Sequence, residues 1–341
     1  MNKLKIYNTH CCGEIGDVVI GGYKNLRELN ILQESRELLK DNKLRNFLLN
    51  EPRGGVFKHY NLVVPSRNKK AQFGFIILEP EDNPPMSGSN SICVATVLLE
   101  KNFIKIIEPE TNFFLEAPGG IVKVKAQCLN KSVNSIEIEN LPSYVDKLDA
   151  EINLDDYGKI LVSTAYGGDS FVVCKASDFN LKIIPQNAKQ FVNISYKILK
   201  AANEQIGFKH PELDSLNYIS FCQFVEPVNI NSQGIKEAKN TVCIRPGKLD
   251  RSPCGTGTSA RLALMREKKE IDINEVFISK SIIDSKFYCR ISQEYIENDK
   301  KYIRPKIKGS AFISGYQEFY LDKDDPFPEG YRLNDTWPTN L

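Results

Sequence analysis

The chain has 341 residues, 41% hydrophobic and 26% charged, which is typical of a soluble globular protein with about two domains. Its 45 basic and 43 acidic side chains leave a formal charge of +2, which argues against nucleic acid or an anionic membrane as partner. No apolar run approaches the ~18 residues of a membrane span, and the basic start lacks the apolar core of a signal peptide. We therefore expect a cytoplasmic protein whose nine cysteines are free thiols and whose three scattered histidines form no zinc site.

The first half combines strand and helix patterns. Alternating and β-branched residues predict strands over 6–10, 16–22, 73–80, 113–118, 120–127 and 135–141. Apolar residues at helical spacing predict helices over 25–50 and 91–103. The second half repeats the mixture, with strands over 159–166, 170–176, 218–225, 241–247 and 285–292 and helices over 187–208 and 258–270. The fold class is therefore mixed α and β.

Two pairs of segments resemble each other over a long distance. Residues 87–91 (SGSNS) align without gaps with residues 254–258 (CGTGT), and residues 5–19 align with residues 159–173. The offsets are 167 and 154 residues, and one insertion could supply the difference. We interpret this as two lobes of common design with a boundary near residue 150.

Both SGSNS and CGTGT precede helical patterns, so each should form a helix N-terminus. The unpaired N–H groups there can bind a carboxylate and should lower the pKa of a thiol such as that of Cys254. Ser87 holds the matching position. Two such loops, facing each other across an interdomain cleft, would put a proton-transfer group on each face of a small substrate. This predicts cofactor-free removal of a proton next to a carboxylate, with no metal. Taken singly, CGTGT is also compatible with a simple turn, and Ser87 with an ordinary helix cap.

Five segments carry a resemblance to a known family: EPRGG at 51–55, MSGSNSICVATVLLE at 86–100, AYGGDSF at 165–171, DRSPCGTGTSARLA at 250–263 and DPFPEGYRL at 325–333. The sequence resembles the proline racemase superfamily, which includes hydroxyproline 2-epimerases and trans-3-hydroxy-L-proline dehydratases. The resemblance implies a fold like that of diaminopimelate epimerase, with two α/β lobes and the active site in the cleft between them. It also implies that the last strand returns to the first lobe. The expected domains are then 1–150 plus 310–341, carrying the Ser87 loop, and 151–309, carrying the Cys254 loop.

The resemblance also assigns residues. Racemases and epimerases of this family read M-C-G-H in the first loop, whereas this chain has Met86-Ser87-Gly88-Ser89 and keeps only Cys254 of the two thiols. The expected catalytic residues are Ser87 and Cys254. The substrate carboxylate would bind to Gly88 and Ser89 in one loop and to Gly255 and Thr256 in the other. Asp250 would hold the ring nitrogen, although it could also be a simple turn residue before Pro253.

A Ser/Cys pair resembles the dehydratase group. In trans-3-hydroxy-L-proline the hydroxyl lies on the same ring face as the Cα hydrogen, so one strong thiol could serve both proton transfers, and the product would become Δ1-pyrroline-2-carboxylate. We therefore expect a trans-3-hydroxy-L-proline dehydratase that needs no cofactor. The alternative is a 4-hydroxyproline 2-epimerase, and a third hypothesis is a non-catalytic imino-acid binder. The expected partner is a small imino acid. The chain could also form a homodimer. The preferred hydroxyproline isomer, and which of Ser87 and Cys254 removes the Cα proton, stay open.

Overall fold

The computed structural model describes residues 3–214 and 216–338. The chain divides into two compact units, the first comprising residues up to 139 and from 308 onward, the second residues 140–307. The junction therefore lies before the boundary expected near residue 150. That position falls inside a strand, Tyr144–Leu154, which pairs along its length with Gly158–Tyr166 and so belongs to the second unit.

The first unit contains nine strands and three helices within the described residues. In chain order these are β1 (Leu4–Cys11), β2 (Glu14–Ile15), β3 (Asp17–Gly21), α1 (Ile31–Lys40), α2 (Lys43–Leu49), β4 (Tyr60–Val64), β5 (Phe73–Leu78), α3 (Gly88–Glu100), β6 (Glu110–Ala117), β7 (Gly120–Leu129) and β8 (Ser132–Glu139), and, from the end of the chain, the strand Ala311–Phe319, called β19 below. The helix predicted over 25–50 is thus two helices. Asn30 forms a capping box with Gln33 that begins α1, and the chain leaves the helix at Asp41.

The second unit contains the remaining elements, except the last two residues of the strand Lys300–Gly309, which belong to the first unit. They are β9 (Tyr144–Leu154), β10 (Gly158–Tyr166), β11 (Ser170–Lys175), α4 (Ala188–Gln205), β12 (Phe221–Val225), β13 (Asn229–Ile230), β14 (Lys236–Ile244), β15 (Lys248–Leu249), α5 (Gly255–Glu267), β16 (Phe277–Lys280), β17 (Lys286–Glu297) and β18 (Lys300–Gly309). Short 3₁₀ turns at Ala176–Phe179 and Pro185–Asn187 lead into α4.

The two units share one pairing pattern. In the first unit β19 pairs antiparallel with β1, and β1 with β3. The pairs β3–β4, β4–β5, β5–β6 and β6–β7 then alternate parallel and antiparallel. In the second unit β9 and β11 flank β10 in antiparallel fashion, and the pairs β11–β12, β12–β14, β14–β16 and β16–β17 alternate in the same order. Each unit is therefore a mixed sheet with the same topology, as the repeated segments in the sequence predict.

In both units the buried helix lies at the same topological position, between the third and fourth strands of the alternating series, β5 and β6 in the first unit and β14 and β16 in the second. Twelve of the thirteen residues of α3 and eleven of the thirteen of α5 are buried. Helices that are buried on every side need no polar face, which explains the long apolar run in α3. The N-termini of these two helices are the SGSNS and CGTGT segments.

The C-terminal segment belongs to the first unit. Strand β19 pairs with β1 from Ala311 to Phe319, and Arg53 of the EPRGG segment donates to Asp325 at 2.9 Å and to the Phe327 carbonyl at 2.8 Å. The EPRGG and DPFPEGYRL segments are thus tied together. Across the described residues, no helix has both the length and the apolar character that crossing a membrane would require.

Candidate active site

A buried arginine, Arg45, binds the segment 79–83 that precedes the Ser87 loop. Arg45 donates to the carbonyls of Glu79 at 2.9 Å, Pro80 at 3.3 Å and Asp82 at 3.1 Å, and to the side chain of Asn83. Burial lowers the pKa of this guanidinium to about 10, which leaves it charged at neutral pH. The segment that leads to Ser87 is therefore fixed by charge-assisted hydrogen bonds.

Ser87 is the N-cap of α3, with an ordinary extended backbone at φ −147° and ψ 126°. Its hydroxyl accepts from the Asn90 backbone N–H at 3.5 Å and from the Asn90 side-chain amide at 2.9 Å. The Ser89 hydroxyl lies 3.4 Å away. Ser87 is half-buried, and Gly88 and Ser89 form the first turn of the helix.

Cys254 is the N-cap of α5, and its backbone is unusual. It has φ +58° and ψ 102°, a positive-φ conformation that favours glycine and costs about 1–3 kcal/mol for other residues. Its sulfur accepts from the Gly257 N–H at 3.4 Å and lies 3.6 Å from the Thr256 hydroxyl. Because strain of this kind persists only where the surroundings impose it, the position of the thiol is specified by the fold.

A buried chain of hydrogen bonds supplies that constraint. The Asn240 amide donates to the Ser279 hydroxyl at 2.7 Å, which lies 2.8 Å from the Thr258 hydroxyl, and Thr258 donates to the Pro253 carbonyl at 3.0 Å. All three side chains are fully buried. The chain ends on the peptide directly before Cys254.

The sequence prediction that the helix N-terminus lowers the pKa of Cys254 is wrong for this structure. Burial, and then the negative charge of Asp250, raise the pKa of the thiol well above its ordinary value. The hydrogen bonds from Thr256 and Gly257 oppose this shift without overcoming it. The helix start does stabilise the thiolate, but the loss of solvation is the larger effect. In this state Cys254 is a neutral thiol at pH 7.

Asp250 occupies a buried turn next to the thiol. Its carboxylate accepts from the Ser252 N–H at 2.8 Å, and the Ser252 hydroxyl accepts from the Cys254 N–H at 3.1 Å. Asp250 therefore shapes the turn that carries Cys254, as the turn interpretation expected. This geometry does not conflict with a second role toward a cationic ligand, because a carboxylate can accept more than one hydrogen bond.

The structure brings the predicted residues together within each loop. Ser87, Gly88 and Ser89 lie in one helix start of the first unit. Asp250, Cys254, Gly255 and Thr256 surround one helix start of the second unit. Each start offers unpaired backbone N–H groups to an anion. Over residues 3–214 and 216–338, no group of three or more His, Cys, Asp or Glu side chains is arranged to hold a metal ion.

Sequence reasoning overlooked Asn90. A signal was available, because the alignment of the two loops places Asn90 opposite Gly257, so that a side chain with two donors stands where the other loop has none. The polar contacts that make this residue important, to Ser87 and Asn61, depend on the packing of α3 against the sheet.

The fold and the two helix starts match one protein family. A family model described as proline racemase matches residues 6–332, and the chain belongs to that family. Members of the family are enzymes that act on proline-like substrates.

Among solved structures, a hydroxyproline epimerase from Agrobacterium vitis with bound trans-4-hydroxy-L-proline is 34% identical, with a TM-score of 0.92 over 99% of this chain and 96% of that chain. A probable proline racemase from Agrobacterium radiobacter K84 with bound carbonate is 33% identical, with a TM-score of 0.91 over 98% of both chains. A PhzF-family phenazine biosynthesis protein from Bacillus anthracis shares the fold at 13% identity, with a TM-score of 0.58 over 94% of this chain and all of that chain. The family match and the first two structures favour an epimerase or racemase over the dehydratase expected from the sequence.

Proposed function

We propose that this protein is a cofactor-independent 4-hydroxyproline 2-epimerase, which interconverts trans-4-hydroxy-L-proline and cis-4-hydroxy-D-proline. The observation that carries the proposal is the 34% identity, over nearly the whole chain, to a hydroxyproline epimerase. The strained, buried thiol at the start of α5 supports it, because strain of this kind clusters at active sites.

The proposal gives each residue a role. The backbone N–H groups at Gly88, Ser89, Gly255 and Thr256 bind the substrate carboxylate, and Asp250 binds the protonated ring nitrogen. Cys254 and Ser87 are the two proton-transfer groups. One takes the Cα proton, and the other donates a proton to the opposite ring face, so no atom is gained or lost. The carboxylate, held by helix N–H groups, carries the negative charge that develops in the transition state.

Substrate binding also explains how the Cys254 thiol can ionise although its pKa is raised in the free protein. The charge of Asp250 is one of the causes that keep the thiol protonated. A cationic ring nitrogen paired with Asp250 offsets that charge, and thus favours the thiolate when the substrate is present. The thiol is thereby activated by the molecule on which it acts.

The second candidate is trans-3-hydroxy-L-proline dehydratase, and Ser87 is the observation that favours it. Serine has a far higher pKa than cysteine, so a site with a single thiol suits a reaction whose proton transfers occur on one ring face. Loss of the Cα proton and of the 3-hydroxyl as water gives an enamine, which tautomerises to Δ1-pyrroline-2-carboxylate. No other reactant is consumed.

Incubation of the purified protein with each hydroxyproline isomer separates the candidates. Epimerisation of trans-4-hydroxy-L-proline changes the optical rotation without loss of water. Dehydration of the 3-hydroxy isomer yields a cyclic imine that reacts with o-aminobenzaldehyde. A protein that binds both compounds and converts neither would support the imino-acid binder and refute both enzymes.

Cys254→Ser is the matched variant for this assay. It keeps the size and capping capacity of residue 254 but removes the thiol, so we expect turnover to be abolished and the circular dichroism spectrum to be unchanged. Alkylation of Cys254 by iodoacetamide should also be slowed by pyrrole-2-carboxylate, a planar mimic of the deprotonated ring. Full activity of the variant would remove the thiol from the mechanism.

A further inference from the structure

Two buried asparagines form a hydrogen-bonded chain that ends on Ser87. The Asn61 amide donates to the Asn90 side-chain oxygen at 2.8 Å, and the Asn90 amide donates to the Ser87 hydroxyl at 2.9 Å. Asn61 is fully buried and Asn90 is 1% exposed. The whole chain lies in the first unit, behind the start of α3.

The direction of this chain is fixed by the backbone. The Asn61 nitrogen also lies 3.4 Å from the Asp17 carbonyl, which can only accept. With its nitrogen in this orientation, Asn61 donates a hydrogen bond to Asn90. The side-chain oxygen of Asn90 accepts that bond. The Asn90 nitrogen must then face Ser87. Gly16 leaves room for the Asn90 side chain, because a Cβ at residue 16 would lie 2.8 Å from the Asn90 side-chain oxygen.

Ser87 thus receives hydrogen bonds from Asn90 twice, from the side chain at 2.9 Å and from the backbone N–H at 3.5 Å. An oxygen that accepts from N–H donors keeps its own proton available for donation. The same donors stabilise the alkoxide that remains when that proton leaves, as an oxyanion hole does. This environment therefore suits a proton donor.

The second loop has no counterpart to this side chain. Gly257 takes the place of Asn90 and offers only its backbone N–H to Cys254. A Cβ at Gly257 would lie 3.1 Å from the Gln223 nitrogen and 3.2 Å from the Cys254 sulfur, so little room exists for a side chain. The extra donor accompanies the serine, the weaker acid of the two.

We propose that Asn90, oriented by Asn61, is the positioning residue that makes Ser87 a proton donor, which allows a serine to serve where other family members carry a thiol. This inference rests on the proposed function. In epimerisation the Ser87 O–H bond breaks and a C–H bond forms at Cα, which uses the electron pair left by the departed proton. The resulting alkoxide accepts from Asn90 until it is reprotonated from water.

A thiol placed at residue 87 reports this environment without any need for turnover. In a Ser87→Cys, Cys254→Ser background, the rate of iodoacetamide labelling at residue 87 is measured against pH by peptide mass spectrometry. Asn90→Ala removes the side-chain donor. Asn90→Asp also removes it but keeps an acceptor for Asn61, which guards against a packing defect. A hydrogen bond to a charged group is worth more than a factor of ten in an equilibrium, so both variants should slow labelling below the thiol pKa by about tenfold.

Ser91→Ala is the matched control, because the Ser91 hydroxyl donates to the Ser87 carbonyl at 2.7 Å rather than to its side chain. Its labelling profile should not move. In the active protein, Asn90→Ala should lower kcat by a larger factor with serine at residue 87 than with cysteine there. An unchanged labelling profile in both Asn90 variants overturns the role of Asn90. Absence of wild-type turnover on any hydroxyproline instead counts against the proposed function.

Discussion

Cys254 and Ser87 occupy equivalent helix starts but differ in what surrounds them. The thiol has a strained backbone, a buried position and an acidic neighbour, whereas the hydroxyl has an ordinary backbone and two donors from Asn90. The first environment disfavours negative charge until a cation binds, and the second favours release of a proton. The two residues are thus adapted to different halves of a proton transfer.

Asp250→Asn tests the electrostatic part of this account. Loss of the negative charge removes one of the causes that raise the pKa of Cys254, so the pKa falls. Labelling of Cys254 by iodoacetamide at neutral pH should then become several-fold faster, while turnover falls at least about tenfold because the ring nitrogen loses its partner. Slower labelling in this variant would show that Asp250 does not hold the thiol protonated.

Ser87→Cys tests what sets the reaction type. A second thiol gives the first loop a group that can act as base as well as acid, so the ratio of epimerase to dehydratase activity should rise. The change is limited because Ser89 stands where epimerases of the family carry histidine. The measurement uses trans-4-hydroxy-L-proline for one activity and trans-3-hydroxy-L-proline for the other. An unchanged or lowered epimerase share would mean that residue 87 does not set the reaction type.

At the scale of elements, the turn between β10 and β11 sets the position of the second loop. Gly167 of the AYGGDSF segment packs so closely on α5 that a Cβ there would lie 2.1 Å from the Thr256 carbonyl oxygen and 2.5 Å from the Ala260 nitrogen. Asn140 donates to the Gly167 carbonyl at 2.8 Å and to Ser259 in the helix at 2.8 Å. Turn and helix start are therefore one packed structure.

Gly167→Ala should displace the start of α5, because both clashes are with backbone atoms that cannot rotate away. We expect a loss of about 2 kcal/mol in the free energy of unfolding, measured in urea, and a fall in activity larger than the loss of folded protein. Gly21→Ala is the matched control, since its nearest new contact is 3.7 Å, from the flexible Lys5 side chain. Equal effects of the two substitutions would contradict the close packing.

On the scale of the whole molecule, the first unit is built from both ends of the chain. β19 supplies the antiparallel partner of β1, Arg53 pairs with Asp325, and Trp337 is 2% exposed with the Arg332 guanidinium 4.1 Å from its ring. The pairing of β19 with β1 joins residues about 300 positions apart, and Arg53 and Asp325 are 272 positions apart. The sheet of the first unit therefore needs residues from both parts of the sequence.

Deletion of residues 310–341 should abolish cooperative folding of the first unit. It leaves the edge of β1 unpaired and uncovers the apolar side chains that β19 covers, and such edges promote aggregation. Size-exclusion chromatography and thermal denaturation followed by circular dichroism measure the effect. A soluble truncated protein with the midpoint of the full chain would show that the segment is dispensable.

The sequence by itself determined the local features. The repeat of SGSNS in CGTGT predicted two helix starts, alternation predicted most strands, and the family motifs followed from residue identity alone. It missed β4, β9, β16 and β18 as strands and predicted α1 and α2 as one helix. The environment of the site residues came only from the tertiary structure. Burial around Cys254, which reverses the expected pKa shift, and the amide chain through Asn61 and Asn90 both depend on residues distant in sequence. Solvation and hydrogen-bond direction are properties of packed neighbours, which a local pattern does not contain.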